Sequence, residues 1–391
     1  MAAFSDRTSE IEPEGAYAVL VRAQELEKRG REILHLEIGQ PDFPTPNYIS
    51  QAGMQAIQDG YTRYNPTAGL YKLRELLAAT AGRQRGVEIS PERVIIGPGA
   101  KPGLFFSTLA LIEAGDEVIY PDPGFPTYAA MIKIAGGIPV PIPLVEENQF
   151  SFDLEQFESK LSNRTKLVII NSPSNPTGGV IPIEDLEFIA EKAISRGFWV
   201  LSDEIYSRLT YSGSPAPSIS SLPGMIDRTI IIDGFSKTYS MTGWRLGYAI
   251  MPEELAQGVE LLLVHSIGCT ATFTQMAGIA ALQGDQSFVD EYRSEYQVRR
   301  DLLIDGLNSI PGIQCQMPNG AFYAFPNVKS FKQASRDIAG RLLDEAGVAL
   351  LAGSDFGRGG EGYLRLCYAT SREVISDTIE KMKIFFQENY H

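Results

Sequence analysis

Three short apolar runs in this chain each end on residues that can do chemistry. Lys166–Asn171 passes into Ser172-Pro173-Ser174-Asn175-Pro176-Thr177-Gly178, Phe198–Asp203 into Glu204-Ile205-Tyr206, and Thr229–Asp233 into Gly234-Phe235-Ser236-Lys237. As neighbouring strands of an open α/β sheet, these runs deliver Asn175, Asp203, Tyr206 and Lys237 to one rim, because such sheets bind ligands beyond the carboxyl ends of their strands. A lysine amine can condense with an aldehyde and, once displaced, carry a proton. A carboxylate beside a pyridine nitrogen keeps it protonated, so that the ring accepts electrons from a carbanion. A tyrosine hydroxyl and an asparagine amide can hydrogen-bond a phenolic oxygen. Taken singly, each residue has a plainer reading. Lysines are mostly exposed, a strand-end aspartate usually caps a helix or forms a turn, and Asn-Pro-Thr-Gly is a good turn. The combination suits a pyridine-aldehyde cofactor.

Further pieces fit the same purpose. Gly97-Pro98-Gly99-Ala100-Lys101-Pro102-Gly103 comes after an apolar run and opens an apolar helical stretch, where backbone N–H groups and the helix dipole can hold an anion. A plain turn would use the same residues. The spacing is neither a dinucleotide fingerprint nor a P-loop. Arg245, in Met241-Thr242-Gly243-Trp244-Arg245, can close a phosphate site from the sheet side or serve a structural salt bridge. Phe125, in Asp122-Pro123-Gly124-Phe125-Pro126, can stack on a ring or fill the core. Arg365 is a charge within the alternating Tyr363–Cys367 stretch. A substrate carboxylate is its natural bidentate partner, whereas an exposed strand face would need none.

The elements that must position these residues can be read from periodicity. Between 93 and 247 the chain alternates β-branched runs (Arg93–Gly97, Glu117–Tyr120, Ile138–Leu144 and the three above) with helical patterns such as Leu104–Glu113 and Ile183–Arg196. Doubly buried strands joined by helices predict a mostly parallel α/β sheet. Later, a long charged helix around Glu291–Leu307 precedes short strands near Ala321–Phe325, Val348–Leu351 and Tyr363–Cys367 and a final helix from Glu373, which predicts a separate α+β domain. The helical pattern Tyr17–Arg29 can pack on it.

Composition removes several function classes. With 391 residues, 44% hydrophobic and 21% charged, the chain has an ordinary globular balance suited to two domains. A net charge of −14 without a basic run excludes nucleic acid as a partner. Three histidines, His35, His265 and His391, are too few to expect a histidine metal site or a Ser-His-Asp triad, and no metal is expected. Cys269, Cys315 and Cys367 are widely spaced, which predicts neither zinc nor a disulfide framework and fits a reducing cytoplasm. No apolar run approaches membrane-spanning length, and the polar stretch Met1–Glu10 lacks signal-peptide character.

The chain resembles class I/II aminotransferases of the fold-type I pyridoxal-phosphate enzymes, nearest to the prokaryotic aspartate aminotransferase subgroup. The resemblance runs nearly end to end. It is carried by Gly39-Gln40-Pro41-Asp42-Phe43, Tyr64-Asn65-Pro66-Thr67-Ala68-Gly69, Asn171–Gly178, Ser202–Tyr206, Ser236-Lys237-Thr238-Tyr239, Met241–Gly247 and Gly320-Ala321-Phe322-Tyr323. It implies pyridoxal 5'-phosphate as cofactor and a large domain (46–288) with a mostly parallel seven-stranded-type sheet flanked by helices. A small C-terminal domain (289–391) would be joined by the N-terminal segment (1–45).

The resemblance also implies roles. Lys237 would be the Schiff-base lysine and proton shuttle, Asp203 the pyridinium partner, and Asn175 and Tyr206 the contacts to the phenolic oxygen, with Phe125 stacked on the ring. Gly99, Ala100, Lys101, Ser236 and Arg245 would line the cofactor's phosphate side. Tyr64 would reach the neighbouring subunit's phosphate in a homodimer, and Arg365, Gly39 and Asn175 would hold the substrate α-carboxylate. Two positions depart from the family pattern. Gly234 replaces a serine that often binds the phosphate. Lys101 matches a lysine that can meet a distal substrate carboxylate, but Pro13-Glu14-Gly15-Ala16 puts a glutamate near it, which disfavours a second carboxylate and suits a neutral or basic side chain.

The implied activity is transfer of an amino group from an L-amino acid (aspartate, alanine or another small or neutral one) to a 2-oxo acid, through a Lys237 aldimine and a pyridoxamine form. The alternatives are a lyase or cyclising synthase with the same lysine and aspartate, or a non-enzymatic regulator on the same fold. For the last, neither terminus has room or basic charge for a DNA-binding segment.

Overall fold

The computed structural model describes residues 5–390, so His391 and the first four residues of the Met1–Glu10 stretch lie outside the described residues. Helix Gly15–Lys28 is followed by a two-residue strand, β1 (Leu34–His35). The main sheet then collects β2 (Val94–Gly97), β3 (Glu117–Asp122), β4 (Ile138–Val145), β5 (Ser151–Phe152), β6 (Thr165–Asn171), β7 (Trp199–Asp203), β8 (Thr229–Gly234) and β9 (Gly247–Ile250). Their spatial order is β2-β9-β8-β7-β6-β3-β4-β5. The pairs β4/β3, β3/β6, β6/β7 and β7/β8 are parallel. β9 runs antiparallel to both neighbours, and the two-residue β5 is an antiparallel edge.

Two-sided burial explains why these runs are strands. Along β6, Leu167 and Ile169 pack on one face and Val168 and Ile170 on the other, all at most 1% exposed. One face is covered by helices Lys101–Leu111, Thr127–Ile134 and Glu253–Val264. The other is covered by Ile183–Arg196 beside β6 and β7, and by Tyr71–Arg85 and Thr272–Gln283 beside β8 and β9. With no polar face, the strands lack the alternation of a half-exposed sheet.

Sequence alone missed β9. It makes the chain double back after β8, with Gly234 paired to Gly247, so the connection 235–246 begins and ends at one place on the rim. Between β3 and β6 the growth of the sheet changes direction, which is where an open α/β sheet leaves a crevice at its carboxyl ends.

The later part is α+β, as its pattern predicts. β10 (Tyr323–Ala324), β13 (Leu364–Cys367) and β12 (Leu351–Ala352) form an antiparallel sheet with β13 in the middle. The expected strand at Val348–Leu351 divides at Leu350. β11 (Val348–Ala349) pairs in parallel with β1, while β12 turns to β13. Helices Ser287–Asn308 and Arg372–Asn389 pack against each other and share a core with these strands. Ser371 caps the last helix by accepting from the Val374 N–H at 3.3 Å. The first helix buries Ala23 and Leu26 against Ile33, Leu343 and Ala349, which ties the N-terminal segment to this part.

Candidate active site

A cavity of about 720 Å³ opens over the carboxyl ends of β6, β7 and β8, roofed by the first helix and by the residues around β12 and β13. Gly39, Ala100, Lys101, Phe125, Asn175, Asp203, Tyr206, Ser236, Lys237, Arg245 and Arg365 all line it. Gly99 sits directly behind Arg245. Tyr64 does not line the cavity, and is 97% exposed.

Asp203 ends β7 in register with Asn171 at the end of β6. Its buried carboxylate accepts from the Tyr128 hydroxyl at 2.7 Å and from the Ile205 N–H at 3.3 Å. Burial pushes the carboxyl up to about 6, because an ion in low dielectric is disfavoured, while the Tyr128 hydrogen bond pulls it back down. The Lys237 ammonium donates to the Gly39 carbonyl at 2.5 Å. Burial lowers this amine to about 8, and the nearby Arg365 and Arg245 cations push in the same direction. An amine so placed is partly uncharged near neutral pH and can act as nucleophile or base. Tyr206 and Tyr323 share a hydrogen bond of 2.7 Å between their hydroxyls. Gly39 must be a glycine, since a Cβ there would lie 2.0 Å from the Tyr323 hydroxyl.

Two cations of the rim, Arg245 and Arg365, have no ion pair among the described residues. Arg245, at φ 53°, donates to the Thr242 carbonyl at 2.9 Å and the Pro98 carbonyl at 3.4 Å, which fixes it over the loop that opens helix Lys101–Leu111. Gly99 has φ +88°, and a Cβ on it would lie 2.2 Å from Arg245 Nη2. Arg245 makes no salt bridge to a described residue of this chain. Arg365 is 3% exposed on the central strand β13, so the exposed-face alternative fails. Its guanidinium donates to the Glu37 carbonyl and, at 3.4 Å, to Asn175 Oδ1, leaving Nε without a partner among the described residues. It lies 4.7 Å from the Tyr323 ring centroid and 5.2 Å from that of Phe356. A buried guanidinium with no carboxylate partner among the described residues can receive one.

Phe125 is half-buried and meets Tyr128 edge-on, with centroids 5.7 Å apart, so it both lines the cavity and packs. Ser236 is buried at the cavity wall. Lys101, expected beside the phosphate loop, has its ammonium on Glu14 and 5.2 Å from the Phe125 ring centroid.

Sequence reasoning gave no role to three residues that shape this site. Tyr128 lies in helix Thr127–Ile134, which opens two residues after Phe125, and its N–H donates to the Phe125 carbonyl at 3.0 Å. Tyr323 lies in a motif noted only for its likeness to relatives. Asn171 donates to the Asp203 carbonyl at 3.0 Å and accepts from the Asn175 N–H at 2.8 Å, which fixes the loop carrying Asn175. Among the described residues no cluster of His, Cys, Asp or Glu could hold a metal ion, and no helix is long and apolar enough to cross a membrane.

The family profile for aminotransferase class I and II matches residues 31–382. An aspartate aminotransferase of Geobacillus stearothermophilus is 38% identical over 97% of this chain and 98% of its own length. An aromatic-amino-acid aminotransferase 2 of Thermococcus litoralis is 36% identical over 99% of each. Among solved structures, aspartate aminotransferase from Thermus thermophilus with maleate superposes with a TM-score of 0.94, at 36% identity, over 98% of this chain and 100% of that one.

Proposed function

The chain belongs to the aminotransferase class I and II family, and from that membership we propose a transamination dependent on pyridoxal 5'-phosphate, carried by Lys237 and Asp203. The residues fit this cofactor on three observations. Arg245 is a cation at a helix N-terminus with no ion pair among the described residues, a seat for a phosphate. Gly99 lets the Arg245 guanidinium approach the loop backbone so closely that a Cβ would lie 2.2 Å from Nη2. Asp203 is a buried carboxylate that lacks a cationic hydrogen-bond partner among the described residues, which a protonated ring nitrogen would supply. Gly99, Ala100, Ser236 and Arg245 would hold the phosphate, Phe125 the ring face, and Asn175 and Tyr206 the phenolic oxygen. Pyridoxal 5'-phosphate supplies an aldehyde carbon and a ring that draws negative charge from the substrate Cα.

The chain's own residues supply the rest. Arg365, steadied by Asn175 and stacked on Tyr323, binds the α-carboxylate of an amino acid and orients its Cα toward Lys237. The Lys237 amine, lowered by its dry surroundings, takes the Cα proton and returns one as the amino group moves to a 2-oxo acid. Asp203, held by Tyr128, would keep a proton on the ring nitrogen of the bound cofactor.

The surface around Tyr64 supports a homodimer. Met54, Ile57, Tyr61, Tyr71, Leu261 and Val264 are exposed, and a groove of about 650 Å³ runs past Trp244 and Cys269 to Arg245. A second copy covering it would bring its Tyr64 to this phosphate seat. The two cores support a large domain over 46–288 and a small one from 289–391 with 1–45. Three free cysteines support a reducing cytoplasmic setting.

The single observation carrying the proposal is Lys237 and Asp203 in one cavity, with Arg365 opposite. The test is the absorbance change of single half-reactions with a panel of amino acids, with Lys237→Ala as control. Conversion by the natural chain and none by the variant is expected. Conversion by the variant, or release of ammonia without an acceptor in place of 2-oxo acid exchange, would refute it.

A further inference from the structure

Lys101 stands in the first turn of helix Lys101–Leu111, where its ammonium would be a seat for a carboxylate at the far end of a substrate side chain. That seat is taken. Glu14 Oε1 pairs with the ammonium, and the Thr127 hydroxyl donates to the same oxygen at 3.3 Å. A second carboxylate, Asp355, approaches the same segment so closely that a Cβ on Gly15 would lie 2.7 Å from its Oδ2. The partner of Asp355 is Arg336, at 2.8 Å, whose side chain is 71% exposed and does not line the cavity. Apolar lining of the same cavity comes from Tyr17 and Leu20, in the helix that follows Glu14, and from Leu351 and Phe356 beside Arg365. The charges around Lys101 thus cancel in pairs, Lys101 with Glu14 and Asp355 with Arg336, in a cavity whose lining also includes apolar side chains.

We propose that Glu14 is a specificity determinant: an internal carboxylate that fills the Lys101 ammonium, so that the amino donor is a monocarboxylic amino acid with an uncharged, apolar or aromatic side chain. The inference rests on the transamination reading above. A dicarboxylic donor must either displace Glu14 or bring a like charge within a few ångströms of it, which lowers its use by about 10- to 100-fold. An apolar side chain meets no such penalty, and it gains by burying surface against apolar lining such as Tyr17 and Leu20.

The experiment uses the holoenzyme and two readouts. Half-reaction kcat/KM is measured for phenylalanine, leucine, aspartate, glutamate and lysine. Calorimetry compares binding of 3-phenylpropionate with that of succinate. Phenylalanine and leucine are expected to exceed aspartate, glutamate and lysine by about 10-fold or more, and Glu14→Gln to raise the aspartate-to-phenylalanine ratio by about 10-fold. The succinate-to-3-phenylpropionate affinity ratio should rise in step, and Glu14→Ala should move both ratios the same way. Preference of the natural chain for aspartate, glutamate or lysine, or ratios unmoved in both variants, would overturn the proposal. If no donor reacts, transamination itself fails, while the calorimetric ratio still reads the role of Glu14.

Discussion

Tyr128→Phe tests whether the hydroxyl of a residue outside every sequence motif keeps Asp203 ionised. Burial holds the Asp203 carboxyl at about 6, and the Tyr128 hydrogen bond is the largest influence pulling it down. At pH 7 a group at about 6 is roughly nine-tenths ionised. A hydrogen bond to a charged acceptor is worth about 1.5–3 kcal/mol, and one pKa unit corresponds to about 1.4 kcal/mol. Losing the hydroxyl therefore raises Asp203 by about one to two units and leaves it about half ionised or less at pH 7. The assay is the affinity of the cofactor-free variant and natural protein for pyridoxal 5'-phosphate at about pH 6.5 and about pH 8.5. The variant should lose most at the lower pH and recover much of the difference at the higher, where both carboxylates are ionised. An equal loss at both pH values would show that the hydroxyl only fills space, and would refute the electrostatic argument.

Two further outcomes are expected on the same physical grounds. Gly99→Ala puts a Cβ 2.2 Å from Arg245 Nη2 at a backbone angle of +88°, so either the loop or the guanidinium must move. Cofactor affinity, titrated by absorbance, should fall by about 10-fold or more, while the thermal midpoint of the cofactor-free protein changes little. His35 lies between Glu37, which is fully buried with one oxygen unpartnered among the described residues, and Glu27. Burial opposes the imidazolium, but the hydrogen bonds and charges of Glu37 and then Glu27 outweigh it, so the group is raised above 6.5. A raised folded value means that the stabilising contribution is complete below about 6.5 and disappears as pH rises through the folded value. Denaturant unfolding of His35→Gln should lack that loss, and parallel pH–stability curves for the two proteins would contradict it.

Much of this architecture was readable in one dimension because its signals are local. A strand buried on both faces must be an unbroken apolar run, so β6, β7 and β8 announce themselves, and the residues just after a parallel strand must lie on the binding rim. The sequence by itself therefore determined the sheet, the rim, and the presence there of Asn175, Asp203, Tyr206 and Lys237. It also turned the reading away from histidine metal sites and Ser-His-Asp chemistry, since histidines are scarce. It did not show β9, whose four residues Gly247–Ile250 come after a glycine-containing turn and resemble any other buried run.

Tertiary structure alone decided the pairings that depend on distant segments. Arg365 reads equally as a solvated strand charge or a carboxylate receptor until β10 and β12 enclose it from either side. Arg245 reads equally as a phosphate-site cation or a salt bridge, and in the fold it has no carboxylate partner among the described residues. Tyr128 meets Asp203, and Glu14 meets Lys101, across separations of 75 and 87 residues, distances over which no periodicity carries information. Backbone pattern reports how a segment buries itself. Which charge answers which is settled only when the sheet and the smaller core close around one cavity, because the energy of a charge depends on neighbours that the chain brings from elsewhere.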